Sequence, residues 1–145
     1  MLSIPGIQNV LVVDDDPDFR EQQELMLAEA DVTIRSASSI SEATSLLNEF
    51  KPDVALLDLM MEHEDDGFTL AYRVKQRYPE TIVIIITSVA SETGLEFGAA
   101  TSEERKWVKA DALLAKPVRL EQLHREIARL RKEEGHGHHT ESSLR

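Results

Sequence analysis

The chain has 145 residues, of which 41% are apolar, no cysteine and a formal net charge of −11. This length suits one domain with a core of its own, and the lack of cysteine excludes disulfides, thiol catalysis and thiolate metal sites. The negative charge argues against nucleic-acid binding, and the absence of a long apolar run or a signal-like start predicts a cytoplasmic protein with no membrane partner.

Short apolar runs alternate with helical patterns, which is typical of a parallel α/β sheet. The first strand is predicted at about 9–14, and a helix capped by Asp16 should run from Pro17 to about Ala30. Residues 32–34 alternate as a second, more exposed strand. The inward residues of the first helix are predicted to be Phe19, Met26 and Leu27.

The capping box Ser39-Ile40-Ser41-Glu42 opens a second helix, and Lys51-Pro52 stops it. Its inner face should carry Ala43, Leu46, Leu47 and Phe50. The third strand is predicted at 53–58. A third helix should follow Gly67, bury Leu70, Ala71 and Val74, and end before Pro79.

The second half of the chain continues the alternation. Strands are predicted at 81–87 and 112–115, and a last helix from about Val118 to Lys132. Between these strands, residues 88–101 show no clear helical period, and helical character resumes over 102–108. We expect one domain over 1–134 and a flexible polar tail over 135–145 that contains His136, His138 and His139.

Four of the predicted strands end on residues that can do chemistry. These residues are Asp14 and Asp15, Asp58, Thr87 and Lys116. The carboxyl ends of parallel strands meet at one edge of a sheet, and ligands bind there. The sequence therefore predicts that three acids, a hydroxyl and a lysine converge on one site.

Such a site suits phosphoryl transfer. A carboxylate cluster can bind Mg²⁺, which prefers oxygen ligands, and one neutralised carboxylate can then attack phosphorus to form an aspartyl phosphate. We interpret Asp14 and Asp15 as metal ligands and Asp58 as the acceptor. Lys116 and the hydroxyl of Thr87 would hold the phosphoryl oxygens, since phosphoryl transfer needs positioning and positive charge.

With these residues the chain resembles the receiver domains of two-component response regulators. The matching segments are Val12-Val13-Asp14-Asp15-Asp16-Pro17, Asp58-Leu59-Met60-Met61, Asp66-Gly67-Phe68, Ile86-Thr87-Ser88 and Ala115-Lys116-Pro117, within about residues 8–132. The resemblance implies a flavodoxin-like (βα)₅ fold with a doubly wound, five-stranded parallel sheet. It also implies Mg²⁺ dependence, phosphotransfer from a histidine kinase or phosphotransfer protein, and a metal ligand at the backbone carbonyl of Met60.

Three departures from the family pattern predict local changes. Glu62 stands where a proline is usual, and Asp66-Gly67 comes one residue late. Leu113 stands where an aromatic residue is usual, which argues against a switch based on a moving ring. Thr87 and Lys116 are 29 positions apart (116 − 87), more than is usual, so the region between the fourth and fifth strands should be modified.

The sequence thus predicts a stand-alone phospho-accepting switch, not an enzyme, whose output is contact with an unknown protein partner or onward transfer of the phosphoryl group. We expect phosphorylation to order residues 88–101 and to reposition the helix over 102–109. A pseudo-receiver that binds partners without phosphorylation is one alternative. A haloacid-dehalogenase-type phosphatase is another, since Asp14-x-Asp16 after a strand mimics its motif, but this reading leaves Asp58 unexplained.

Overall fold

The computed structural model describes residue 4 and residues 6–59, 66–87 and 110–142, with side chains as far as residue 131. Five strands and four helices follow one another along this described part of the chain. The strands are β1 (Asn9–Val13), β2 (Thr33–Ala37), β3 (Val54–Asp58), β4 (Ile82–Thr87) and β5 (Ala112–Ala115). The helices are α1 (Pro17–Ala28), α2 (Ile40–Leu47), α3 (Asp66–Arg77) and α4 (Leu120–Ser142).

The strands form one sheet in the order β2-β1-β3-β4-β5, and every neighbouring pair is parallel. The chain moves outward from β1 to β2 and then returns to the other side of β1 to form β3. This reversal creates a crevice between the carboxyl ends of β1 and β3, where open α/β sheets bind ligands. The predicted flavodoxin-like, five-stranded parallel sheet is confirmed.

Helices cover both faces of the sheet, so the inner strands are buried on both sides. Along β3, Val54 and Leu56 belong to the apolar cluster that includes residues of α1 and α4. Ala55 and Leu57 belong to the second cluster, formed with α2 and α3. This division follows from the two-residue period of a strand, and it explains why β3 reads as a continuous apolar run.

The first two helices begin where the sequence predicts, because their caps form. The carboxylate of Asp16 accepts a hydrogen bond from the Asp18 amide at 3.0 Å. The hydroxyl of Ser39 accepts one from the Glu42 amide at 3.1 Å. The Glu42 carboxylate bonds the amide of Ser38 rather than that of Ser39, so the capping box is shifted by one residue.

Three predicted boundaries in the first half are wrong. α2 ends at Leu47, although the sequence predicted that it continues until Lys51-Pro52 stops it. α1 ends at Ala28 rather than Ala30, and Asp31 takes a left-handed conformation with φ 57° that turns the chain toward β2. β2 covers 33–37 rather than 32–34, because its backbone pairs with all of β1 as far as Val13. β2 is more exposed than the other strands, as the sequence predicts. Its last residues are polar or small, so the apolar pattern did not indicate that the strand continues to Ala37.

Gly67 lies inside α3 instead of preceding it, and its lack of a side chain brings the helix against β3. A Cβ atom at Gly67 would lie 2.6 Å from the Asp58 carbonyl oxygen and 2.7 Å from the Leu59 Cα. The Gly67 amide instead donates to the Leu59 carbonyl at 2.8 Å. The glycine therefore permits a close approach of α3 to the end of β3.

The last helix is longer than predicted, since α4 continues to Ser142 rather than ending at about Lys132. No proline interrupts residues 133–142, and two isolated glycines weaken a helix without breaking it. The predicted flexibility of 135–145 stays a prediction. The expectations for Met60, for Glu62 and for the region 88–109 concern residues outside the described ranges.

Candidate functional site

The acids predicted to meet at the carboxyl edge do meet. β1 and β3 are neighbours with Val13 opposite Leu57, so Asp14 follows β1 beside Asp58, the last residue of β3. Carboxylate oxygens of Asp14, Asp15 and Asp58 all lie within 4.8 Å of one another. Asp14 and Asp58 are buried, with 1% and 8% of their surface exposed, whereas Asp15 is exposed. The cluster therefore opens to solvent on the side of Asp15.

Asp14 is held from several sides. Its amide donates to the Ala37 carbonyl at 3.1 Å, and its Oδ1 accepts the Asp16 amide at 2.8 Å. The guanidinium of Arg20 donates to the Asp14 carbonyl at 2.8 Å. The other carboxylate oxygen, Oδ2, is buried and has no hydrogen-bond partner among the described residues. It is thus fixed in place, and as an oxygen without a hydrogen bond it is suited to contact a cation.

Lys116 brings the nearest positive charge. β5 pairs with β4 so that Thr87 stands opposite Ala115, and the Lys116 amide donates to the Thr87 carbonyl at 2.9 Å. The Lys116 ammonium lies 3.0 Å from Asp14 Oδ2 and 3.6 Å from Asp58 Oδ1. The contact with Asp14 is an ion pair without hydrogen-bond geometry. One lysine is therefore shared by two buried carboxylates, since it lies close to both.

Thr87 ends β4, the strand next to Asp58. Asp58 stands opposite Ile86, and Thr87 is one residue further along the same edge with 2% of its surface exposed. Asp14, Asp15 and Asp58 therefore lie together, Lys116 contacts two of them, and Thr87 ends the neighbouring strand. The predicted carbonyl ligand of Met60 lies outside the described residues.

Asp58 carries the electrostatic cost of this arrangement. Burial, followed by the Asp14 and then the Asp15 carboxylate, raises its pKa from 3.8 to about 7, although Lys116 opposes the shift. One lysine thus does not compensate three carboxylates. A divalent cation would relieve this repulsion, and the fixed Oδ2 of Asp14 with two neighbouring carboxylates is the oxygen-rich donor set that Mg²⁺ prefers.

Two side chains near the site were not predicted to be part of it. Phe19 of α1 was expected only as a core residue, yet its ring faces the Lys116 ammonium at 4.2 Å from the ring centroid. Asp66, which the sequence comparison placed only in a segment matching the family, is buried at the start of α3. Its position just before Gly67 in that segment was the available signal.

No helix in the described ranges is long and apolar enough to cross a membrane.

Comparison with known proteins identifies the family. Residues 10–128 match the response regulator receiver domain. Response regulator protein PilR of Pseudomonas aeruginosa is 35% identical over 124 residues, which cover 83% of this chain and 25% of PilR. The positive alginate biosynthesis regulatory protein of the same organism is 36% identical over 118 residues, 79% of this chain and 44% of that protein. The chain thus spans about a quarter and less than half of these two relatives.

The solved structures agree. A chemotaxis response regulator of Vibrio cholerae superposes with a TM-score of 0.68 at 25% identity, covering 86% of this chain and 98% of that one. A family match over most of the chain leaves no support for the haloacid-dehalogenase alternative. With its parallel sheet, its acidic cluster and this match, the chain belongs to the receiver-domain family of two-component response regulators.

Proposed function

We propose that Asp58 accepts a phosphoryl group from a histidine kinase or phosphotransfer protein, in a Mg²⁺-dependent reaction that switches a protein-interaction surface. The observation that carries this proposal is the buried cluster in which Asp14, Asp58 and Lys116 meet, with Asp15 at its open side. An acid whose pKa is raised by burial and by neighbouring carboxylates, in a cluster open to solvent, is a candidate functional residue.

In this proposal Asp14, Asp15 and Asp58 hold Mg²⁺, together with the Met60 carbonyl that the family resemblance implies. The ion supplies the positive charge that keeps Asp58 ionised and balances the phosphoryl oxygens. The chain's own residues do the rest. Asp14 is fixed by Arg20 and by its bond to the Asp16 amide, so it can hold its position when charge is added beside it.

The transfer itself forms one bond and breaks one. A carboxylate oxygen of Asp58 attacks phosphorus, and the bond from phosphorus to the donor nitrogen or oxygen breaks with its electron pair leaving on the donor. Lys116 then turns from the Asp58 oxygen to a phosphoryl oxygen, and the Thr87 hydroxyl donates to another. Both assignments rest on the position of these residues at the ends of β5 and β4.

The direct test is incubation with acetyl phosphate and Mg²⁺ followed by intact-protein mass spectrometry. We expect one added phosphoryl mass, lost on addition of EDTA before the donor and lost in Asp58→Asn. Asp16→Asn is the matched control, because asparagine caps a helix as well as aspartate and Asp16 serves as the cap of α1. No adduct in the parent, or an adduct in Asp58→Asn, would overturn the assignment.

The pseudo-receiver alternative predicts the opposite outcome, namely no adduct under any condition. We further propose that the protein catalyses only the transfer of a phosphoryl group to its own Asp58 and the hydrolysis of that group. Its signal is then passed on by contact with another protein. Hydrogen exchange with and without beryllofluoride tests the expectation that this contact involves residues 88–109. A cytoplasmic location stays a prediction.

A further inference from the structure

We infer that Phe19 is a positioning residue that holds the Lys116 ammonium in the site through the face of its ring. The Lys116 nitrogen lies 4.2 Å from the ring centroid, the shortest of the four cation–ring contacts among the described residues. An ammonium over an aromatic face is attracted by the ring quadrupole. The inference rests on the proposed function of Asp58 and adds to it a residue outside the polar set.

The position of the ring follows from the fold. Phe19 is three residues after Asp16, the cap of α1, and the Asp16 amide is bonded to Asp14 Oδ1. The first turn of α1 is therefore tethered to the acidic cluster. Phe19 also belongs to the same apolar cluster as Val118 and Leu120, which follow Lys116 in the chain. Both ends of the contact are thus anchored, and 8% of the Phe19 surface is exposed.

An aromatic face suits this place because it attracts a cation without accepting a strong hydrogen bond. The ammonium has three N–H donors and lies near Asp14 Oδ2 and Asp58 Oδ1. A carboxylate in place of the ring would compete for those donors and draw the lysine away from Asp58. The ring instead limits the directions in which the side chain can swing, so that the ammonium stays close to the arriving phosphoryl group.

The simpler reading is that Phe19 only fills the core while the aliphatic stem of Lys116 rests on it. Fluorination separates the two readings, since it weakens the ring quadrupole with little change of shape. We would place 4-fluoro-, trifluoro- and pentafluorophenylalanine at position 19 and measure the initial rate of phosphorylation by acetyl phosphate at saturating Mg²⁺. The matched control is the same series at Phe50, whose ring faces Arg35 at 5.7 Å away from the site.

We expect the rate to fall stepwise with fluorination at position 19, by roughly three- to tenfold for the full series, the range of a partly desolvated cation–π contact. The Phe50 series should be flat. A flat series at position 19, in a parent that is phosphorylated, would overturn the role of Phe19 alone. A parent without adduct would overturn the proposed function and this role together, so the two failures are distinguishable.

A second measurement keeps the inference testable if the fluorinated proteins fold poorly. In a double-mutant cycle, Phe19→Leu, Lys116→Met and the double variant are unfolded in urea without Mg²⁺. We expect a coupling of roughly two- to tenfold in the unfolding equilibrium constant, because each single change removes the same contact. Additive effects would show that ring and ammonium do not interact, which contradicts the inference.

Discussion

The two edges of the sheet use aspartate in opposite ways. At the amino edge, Asp53 Oδ2 accepts the amides of Gln8 and Asn9, both at 2.9 Å. Asp111 Oδ2 accepts the Val83 amide at 2.8 Å and pairs with Lys75 at 2.8 Å. Each of these carboxylates has donors of its own and ties neighbouring strand ends together.

At the carboxyl edge, three carboxylates share one lysine, and the pKa of Asp58 rises to about 7. A carboxylate with its own donors stabilises the fold, whereas a carboxylate crowded by like charges destabilises it until a cation or a proton arrives. This difference separates a structural acid from a candidate functional one, although both are aspartates at strand ends.

The largest expected effect is on pH dependence. Because the folded Asp58 has a pKa of about 7 against about 3.9 when unfolded, the folded state binds the extra proton between about pH 4 and pH 7. The free energy of unfolding contributed by Asp58 is therefore highest at low pH and is lost as the pH rises through this window, by up to about 4 kcal/mol. Urea unfolding of the parent and of Asp58→Asn without Mg²⁺ measures this contribution as the difference between their free energies of unfolding. An unchanged difference between pH 4 and pH 8 would contradict the prediction.

The next prediction is that replacing an aspartate changes the free energy of unfolding in opposite directions at the two edges. At pH 8 without Mg²⁺, Asp58→Asn should raise the free energy of unfolding by about 2 kcal/mol, because it removes an uncompensated buried charge. Asp53→Ala should lower it by about 1 kcal/mol, because two backbone amides lose their acceptor. Chemical denaturation of both variants is the measurement. The same sign for both would mean that the two edges do not differ.

Replacing the lysine at each edge should also lower the free energy of unfolding by unequal amounts. Lys116→Met leaves two buried carboxylates without their shared cation and should cost about 2 kcal/mol at pH 8 without Mg²⁺, part of the penalty being avoided by protonation. Lys75→Met should cost about 1 kcal/mol or less, since that pair is partly exposed and Asp111 keeps the Val83 amide. Thermal or urea unfolding of both variants measures the losses. Equal losses would argue against a crowded carboxyl edge.

The smallest effect is that of Mg²⁺ itself. At ten times its dissociation constant, the ion should add about 1.4 kcal/mol to the free energy of unfolding of the parent. At one fixed Mg²⁺ concentration the gain should be larger at pH 8 than at pH 5, because below the raised pKa of Asp58 the ion must displace a proton and binds more weakly. Asp15→Asn should weaken it, and Asp53→Asn, the control at the other edge, should leave it unchanged. Thermal unfolding at increasing Mg²⁺ concentrations, in a buffer free of Ca²⁺, measures this stabilisation.

Much of the fold was predictable because its signals are local. β5 covers the predicted residues, and β3 and β4 differ from their predicted ranges by one residue at the amino end. Buried parallel strands are continuous apolar runs, and Asp16 and Ser39 mark helix starts by hydrogen bonds within a single turn. Pairing across the sheet overrides local preference in the polar end of β2, and the other wrong boundaries are helix ends, where local signals are weakest.

The sequence by itself determined which residue types end the strands, and hence that Asp14, Asp15, Asp58, Thr87 and Lys116 share one edge. The alternation of strands and helices along the chain follows from patterns that each segment carries, whereas the order of the strands in the sheet is set by pairing between segments. Only the tertiary structure decided how the charges at that edge are balanced and that Phe19 of α1 faces Lys116. These contacts join segments about a hundred residues apart in the sequence, and they depend on side-chain geometry that no local pattern records.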